Sequence, residues 1–300
     1  MIAPAVWGGR ADDDARAWVS ALGRVAVALA TVVVIAVAVA FLLLPIAALV
    51  TYQPLHDLIH GFGTKFATDA IKVSLRTNAI AFVLMIIFGT PFAYALGRRR
   101  FPGRSVVLTL VELPLVMPPA VAGLALLVAF GPLGLFGGTL SALGIPNPVF
   151  RQAAVVMAIL FVASPFYLRG AIAAFEAIDE TLLDVAGTLG AGSMRRLLQV
   201  AVPLAAGGLG ASAAVAFARG IGEFGATILF AGSFQGTTET LPLAVYGEFD
   251  ASLDQAISIG VLLVAVSAAI LLSAKLLAHL WTSSTSTSPS RGGRSIFTLR

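Results

Sequence analysis

The sequence contains no cysteine, and only 11% of its 300 residues are charged. Without cysteine, a disulfide framework and a thiolate metal site are both excluded. A soluble domain averages roughly 25% charged and about 45–50% apolar residues. The apolar fraction of this chain is 58%. Both departures from the average indicate a protein that lies in lipid.

Motifs for catalysis are also missing. The sequence has neither a G-x-x-x-x-G-K-[ST] phosphate loop nor a G-x-S-x-G nucleophile turn. His56 and His60 have the spacing of a zinc-binding helix, but His279 is the only other histidine, so we expect an ordinary loop helix there. The sequence therefore predicts no catalytic residue, no metal site and no cofactor held by this chain, and it gives little support to a membrane enzyme.

What the sequence does contain is long apolar runs. A helix needs about 20 apolar residues to cross a bilayer. Six runs approach or exceed that length, at 25–50, 79–96, 106–130, 153–168, 204–230 and 256–280. They predict an all-α integral membrane protein with about six transmembrane helices. The first run is longer than the core of a signal peptide, about 7–15 residues. We interpret 25–50 as a retained anchor behind a tail of residues 1–24, and we expect the Ser/Thr-rich residues 281–300 to be disordered.

The positions of lysine and arginine predict the orientation. Basic residues accumulate in the cytoplasmic loops of membrane proteins. If the N-terminus is cytoplasmic, fourteen of the 19 lysines and arginines fall in inside segments. Only Lys65, Lys72, Arg76 and Arg151 fall outside, and Arg219 lies within a span. We therefore expect both termini in the cytoplasm and no nucleic-acid function for the basic charge.

The longest inside segment, 176–203, has a helical apolar pattern. Gly190 and Gly192 interrupt that pattern, and Ser193 is a predicted N-cap for a second short helix. The segment predicts a helix–turn–helix at the membrane surface. It could dock into a groove on a partner, or it could be a linker that rests on lipid headgroups. The residues of the first apolar face are Leu182, Val185, Ala186 and Leu189.

The same segment resembles the EAA loop of ABC-importer permeases. Asp184, Val185 and Ala186 stand at the Glu-Ala-Ala positions, Gly190 follows at the family spacing, and the segment ends at Pro203. The departures are Asp for Glu and three valines for Ala, Ile and Leu. In that family the loop seats in a cleft of a cytoplasmic ATPase. The resemblance thus implies an ATPase-coupling site made of Asp184, Val185, Ala186, Gly190, Ala191, Arg195 and Pro203.

The resemblance extends over about residues 73–280. The segments 113–119, 218–227 and 240–246 are similar to oxyanion importers, most of all to the molybdate/tungstate branch. It implies a type I ABC-importer permease fold in a prokaryotic inner membrane. The implied partners are a second copy of the chain, a dimer of ATPases that binds ATP-Mg, and a periplasmic or lipid-anchored binding protein. A sulfate, thiosulfate or other anion permease remains an alternative, as does a secondary carrier without an ATPase.

Two groups of residues are candidates for the translocation pathway. Pro118 and Pro119 interrupt the third span, which indicates either a pathway or a structural kink. Arg219 and Glu223 lie four residues apart, and Thr227 lies four further on. Charges within a span are costly and are usually functional or neutralised. Arg219 could therefore attract an anion, or it could form a structural clamp with Glu223.

Overall fold

The structure is a computed structural model that describes the backbone of residues 9–285. Side chains are described for residues 26–273 and Leu276. The described chain is helical. Its helices are Gly9–Thr51 (α1), Leu55–Phe62 (α2), Lys65–Arg98 (α3), Arg104–Val116 (α4), Pro119–Phe130 (α5), Gly137–Ala142 (α6), Gln152–Glu176 (α7), Glu180–Thr188 (α8), Ser193–Arg196 (α9), Val202–Ile221 (α10), Gly225–Ala231 (α11), Leu241–Glu248 (α12) and Leu253–Thr285 (α13).

The chain divides into two units, of which the first is essentially α1. Its segment Ala26–Thr51 is long and apolar enough to cross a membrane, with Pro45 inside the helix. The helix begins at Gly9, within the stretch predicted as a tail. At the other end α13 continues to Thr285, and the rest of the predicted disordered tail lies outside the described residues.

The second unit, from Leu55 onward, is a helical bundle built around α7. In the apolar 18-residue stretch of α7, 61% of the residues are buried, whereas 22% are buried in the corresponding stretches of α3 and α13. Fully covered side chains of α7 include Tyr167 and Phe175. Apolar side chains such as Phe88 and Leu110 point outward from the neighbouring helices and are 71% and 61% exposed. In a bilayer these outward faces would contact lipid.

Two of the six predicted spans differ from the prediction. The run 106–130 is not one straight helix, because α4 and α5 meet at 114°. A residue that precedes proline is disfavoured in the helical conformation. Met117 and Pro118 both precede a proline, and their ψ angles of 132° and 135° are extended. The described chain therefore has five candidate spans, or six if α4 and α5 count as one.

The run 204–230 was predicted as a single span, and this extent is wrong. The helix of this region begins earlier, at Ser193, and ends at Ile221. Gly222, Glu223 and Phe224 are not helical, and the separate helix α11 follows. The prediction of a separate second surface helix is also wrong, since α9 continues through a π-helical turn, Leu197–Ala201, into α10. The residue before α9 is Gly192, so Ser193 is its first residue and not its N-cap.

Candidate functional site

The predicted coupling segment begins with a capped helix. The backbone N–H of Thr181 donates to Asp179 Oδ1 at 2.9 Å and so caps α8. This backbone hydrogen bond and a second one from the Thr181 side chain hold the pKa of the Asp179 carboxyl below its usual value. Arg98, at the end of α3, donates from Nη1 to the carbonyl of Ile178 at 2.9 Å. The start of α8 is therefore fixed both by its own cap and by a neighbouring span.

The end of α8 requires a glycine. Gly190 has φ = +86°, in the left-handed region. Its N–H donates to the carbonyl of Gly187, and the N–H of Ala191 donates to the carbonyl of Ala186, both at 3.0 Å. This pair of hydrogen bonds is the Schellman motif, which usually places glycine in the left-handed position. No atom lies within 4 Å of the position of an added Cβ, so it is the backbone conformation that selects glycine.

The apolar residues of α8 divide between the bundle and the outside. Leu183 is 5% exposed and joins the main core. Leu182, Val185 and Leu189 are 49%, 51% and 82% exposed. Asp184 is also exposed. Thus α8 is anchored through one leucine and presents an uncovered apolar face, which we call the α8 outer face (Leu182, Val185 and Leu189).

The rest of the predicted coupling segment joins α8 to a candidate transmembrane helix. Pro203 has no N–H to donate, and its ring crowds the carbonyl four residues earlier. The turn before it is widened, with the N–H of Val202 donating to the carbonyl of Leu197 in a π-type bond. Arg195 is exposed, whereas Arg196 lies against α8, its Nη1 3.5 Å from the position of a Cβ on Gly187. The segment Ser193–Ile221 is therefore one continuous helix that begins in the predicted coupling segment.

Two arginines that the sequence identified only as topology signals support this loop. Arg98 Nη1 contacts the carbonyls of Phe175 and Ile178. Arg104 donates from Nε to the carbonyl of Leu96 at 2.7 Å and forms an ion pair with Glu176. Arg98 lies 77 and 80 positions from its two partners, and Arg104 lies 72 positions from Glu176. No local pattern could have predicted that the ends of α3, α4 and α7 are joined here.

The segments that hold the predicted pathway residues come together at the N-terminal ends of α5 and α11. A Cβ on Gly225 would lie 2.8 Å from Pro119 Cβ, and one on Gly123 would lie 2.6 Å from the carbonyl oxygen of Ala226. The two helices therefore approach each other with backbone nearly in contact, as small residues allow. Pro118 and Pro119 are exposed. The structure thus places the proline bend of the third span beside the break after the fifth.

At that break Arg219 and Glu223 form an ion pair. Arg219 Nη2 lies 2.8 Å from Glu223 Oε2, and their side chains are 28% and 1% exposed. Glu223 Oε1 also accepts a hydrogen bond from the N–H of Ala226 at 2.8 Å. Glu223 therefore caps α11 while it pairs with the last turn of α10. This arrangement favours a structural clamp between Arg219 and Glu223 over an anion-attracting role for Arg219.

Thr227 and Glu112 have different surroundings. Thr227 is fully buried. It lies on α11, beyond the break, so it does not continue the helix face of Arg219. In this conformation its hydroxyl does not face an open pathway. Glu112 Oε1 lies 3.7 Å from Arg169 Nε, so this acid has a basic partner.

One buried carboxyl, that of Glu239, was not identified from the sequence. Glu239, in the loop between α11 and α12, is 6% exposed. The Ser233 hydroxyl donates to its Oε1 at 3.1 Å. Burial raises the pKa of Glu239, the hydrogen bond from Ser233 opposes the increase, and the nearby Glu248 charge adds to it.

The fold identifies the class of protein. The chain has the fold of a membrane chain in the crystal structure of a bacterial alginate ABC transporter, with a TM-score of 0.69 and 19% identity. The match covers 93% of this chain and 99% of that chain. The protein is therefore an all-helical, multi-pass protein with the fold of an ABC-importer permease.

Its family follows from the sequence comparisons. The chain belongs to the family of binding-protein-dependent transport system inner membrane components, which it matches over residues 89–282. It is 42% identical over 211 residues to the molybdenum transport system permease protein ModB of Mycobacterium tuberculosis, covering 70% of this chain and 79% of that protein. It is 36% identical over 206 residues to the probable transport system permease protein NifC of Clostridium pasteurianum, covering 68% and 72%.

Proposed function

We propose that this chain is the permease subunit of an ATP-driven importer for molybdate and tungstate. The observation that carries the transport mechanism is the α8 outer face. This face is apolar and exposed, and Leu183 anchors its helix in the core of the bundle. An apolar helix face on the cytoplasmic side suits docking into a groove of a separate ATPase. The substrate assignment is supported by the 42% identity to a protein named as a molybdenum transport permease.

The helix that leads from α8 would transmit the ATPase movement. The segment Ser193–Ile221 is 29 residues long and ends beside the Arg219–Glu223 pair. At 1.5 Å per residue it spans about 43 Å. A displacement at its cytoplasmic end would therefore reach the gate directly, with the π turn as its bending point. ATP shifts such a conformational equilibrium only if it binds one state more tightly.

The gate itself would form between two copies of the chain. The exposed Pro118 and Pro119 and the break at Gly222–Phe224 lie on adjacent helices, α5 and α11. In this homodimer the Arg219–Glu223 clamp would fix the angle between α10 and α11. Both termini would be cytoplasmic, and a periplasmic or lipid-anchored binding protein would deliver the oxyanion to the outer face. The ATP-Mg would bind to the ATPase subunits.

Uptake in cells tests the substrate assignment. Cells with and without the gene receive labelled molybdate at nanomolar concentration, with excess tungstate or sulfate as competitor. We expect deletion to abolish uptake, and uptake in the parent to be competed by tungstate but not by sulfate. Unchanged molybdate uptake with impaired sulfate uptake would refute the assignment and move the chain to the sulfate branch.

A further inference from the structure

We propose that the groove along the cytoplasmic half of α3 is a binding site for an anionic phospholipid of the inner leaflet. The groove consists of an apolar pocket between α3, α5 and α7 and a second pocket at the end of α3 that contains Arg99 and Arg100. Both pockets are lined by Phe92, so they are adjacent along the helix. We call the combined feature the α3 groove.

The apolar pocket of the α3 groove has the chemistry of an acyl-chain site. Its volume is about 570 Å³. It is lined by Met85 and Phe88 of α3, Leu126 and Phe130 of α5, and Met157 and Phe161 of α7. Ser164 is its one hydroxyl-bearing residue. A cavity with so few hydrogen-bonding groups takes an apolar ligand.

The pocket at the end of α3 carries positive charge that no acidic side chain among the described residues neutralises. Of the arginines at this end of the bundle, Arg98 and Arg104 bind backbone carbonyls and lie within 4.0 Å of Glu180 and Glu176. Arg99 and Arg100 are exposed, and no acidic side chain among the described residues lies within ion-pair distance of either. Two guanidinium groups with no acidic partner among the residues that the structure describes, next to an apolar pocket, match a phosphate that is attached to a hydrocarbon chain.

The dimensions fit one leaflet. From Leu84 to the end of α3 at Arg98 the groove follows 15 helical residues, or about 22 Å at 1.5 Å per residue. Half of a hydrocarbon core of about 30 Å, plus part of the headgroup layer, has a similar depth. The basic end lies on the side predicted to be cytoplasmic, where anionic lipids attract arginines near the surface.

The number of bound lipids and their type can be measured by native mass spectrometry of the purified complex in mixed phosphatidylglycerol and phosphatidylcholine. We expect the wild type to retain lipid and to prefer phosphatidylglycerol. Each arginine near an anionic surface contributes about 1 kcal/mol. At 1.4 kcal/mol per factor of ten, the double variant Arg99→Gln/Arg100→Gln should lose about 30-fold in preference. The matched control is Lys65→Gln/Lys72→Gln at the other end of α3, which should retain the wild-type preference.

The apolar part is tested separately by Ser164→Trp, which fills the pocket and should lower the number of retained lipids of both types. A wild type without retained lipid, or a Ser164→Trp variant with unchanged retention, would overturn the proposal. An arginine double variant with wild-type preference would also overturn it. If that variant instead loses ATPase binding, Arg99 and Arg100 contact the ATPase and not a lipid. None of these outcomes depends on which oxyanion is transported.

Discussion

The left-handed glycine at the end of α8 makes a sharp prediction about coupling. Gly190 has φ = +86°, and Gly192, two residues later, has φ = −65°. A Cβ at either position would meet nothing within 4 Å. Gly190→Ala and Gly192→Ala therefore add the same atom to equally open surroundings, and only the first of them strains the backbone.

The magnitude follows from that strain. A residue with a Cβ costs roughly 1–2 kcal/mol in the left-handed conformation. If α8 must keep its Schellman end to dock, this cost appears as about 5–30-fold weaker ATPase binding. Gly190→Asn should lose less, because asparagine tolerates this region better. Gly190→Leu should resemble Gly190→Ala, since the surroundings are open and the penalty comes from the backbone.

The assay is titration of the purified permease with the ATPase subunit, together with ATPase stimulation and membrane insertion for each variant. Equal losses for Gly190→Ala and Gly192→Ala would refute the reasoning from φ. A neutral Gly190→Ala beside an inactive Gly190→Leu would show that contact with the partner, not backbone strain, selects the glycine.

Three further predictions concern the Arg219–Glu223 pair, the buried Glu239 and the α8 outer face. Arg219→Gln and Glu223→Gln should each reduce stability and transport. Arg219→Gln leaves the buried Glu223 carboxylate unpaired, which should cost about 3 kcal/mol of stability. The double variant should recover part of the lost stability and transport, and no recovery in a double-mutant cycle would contradict the clamp. Because burial raises the pKa of Glu239 above the ordinary 4.5, stability should fall as the pH rises from that value to the raised one. Glu239→Gln should therefore raise the thermal midpoint more at pH 7 than at pH 4, and an equal shift at both would contradict this. In the cysteine-free chain, Leu189→Cys should cross-link to the ATPase, whereas Leu133→Cys, in the loop after α5, should not; equal cross-linking would contradict docking at α8.

Local patterns predicted the elements that depend on local chemistry. The apolar runs located the membrane helices, and Gly190 ended α8 where the pattern stopped. The prolines at 118 and 119 were recognised as breakers, although the run was still counted as one span. Their effect is a bend of 114° between α4 and α5, because two consecutive residues each precede a proline.

Features that depend on distant contacts could not be predicted in this way. The pattern grouped Leu182, Val185 and Leu189 as one apolar face, but the residue that anchors α8 is Leu183. The support from Arg98 joins residues 80 positions apart. The end of α10 at Ile221 was missed because the break at Gly222–Phe224 lies within an apolar run and is stabilised by the ionic pair of Arg219 and Glu223.

The most direct test of the account is transport by purified components. Proteoliposomes that contain this chain, the ATPase and the binding protein receive labelled molybdate with or without ATP. The account predicts that molybdate accumulates only when ATP and all three components are present, and that accumulation falls with Gly190→Ala but not with Gly192→Ala. Accumulation without ATP or without the ATPase would contradict it and would identify a secondary carrier instead.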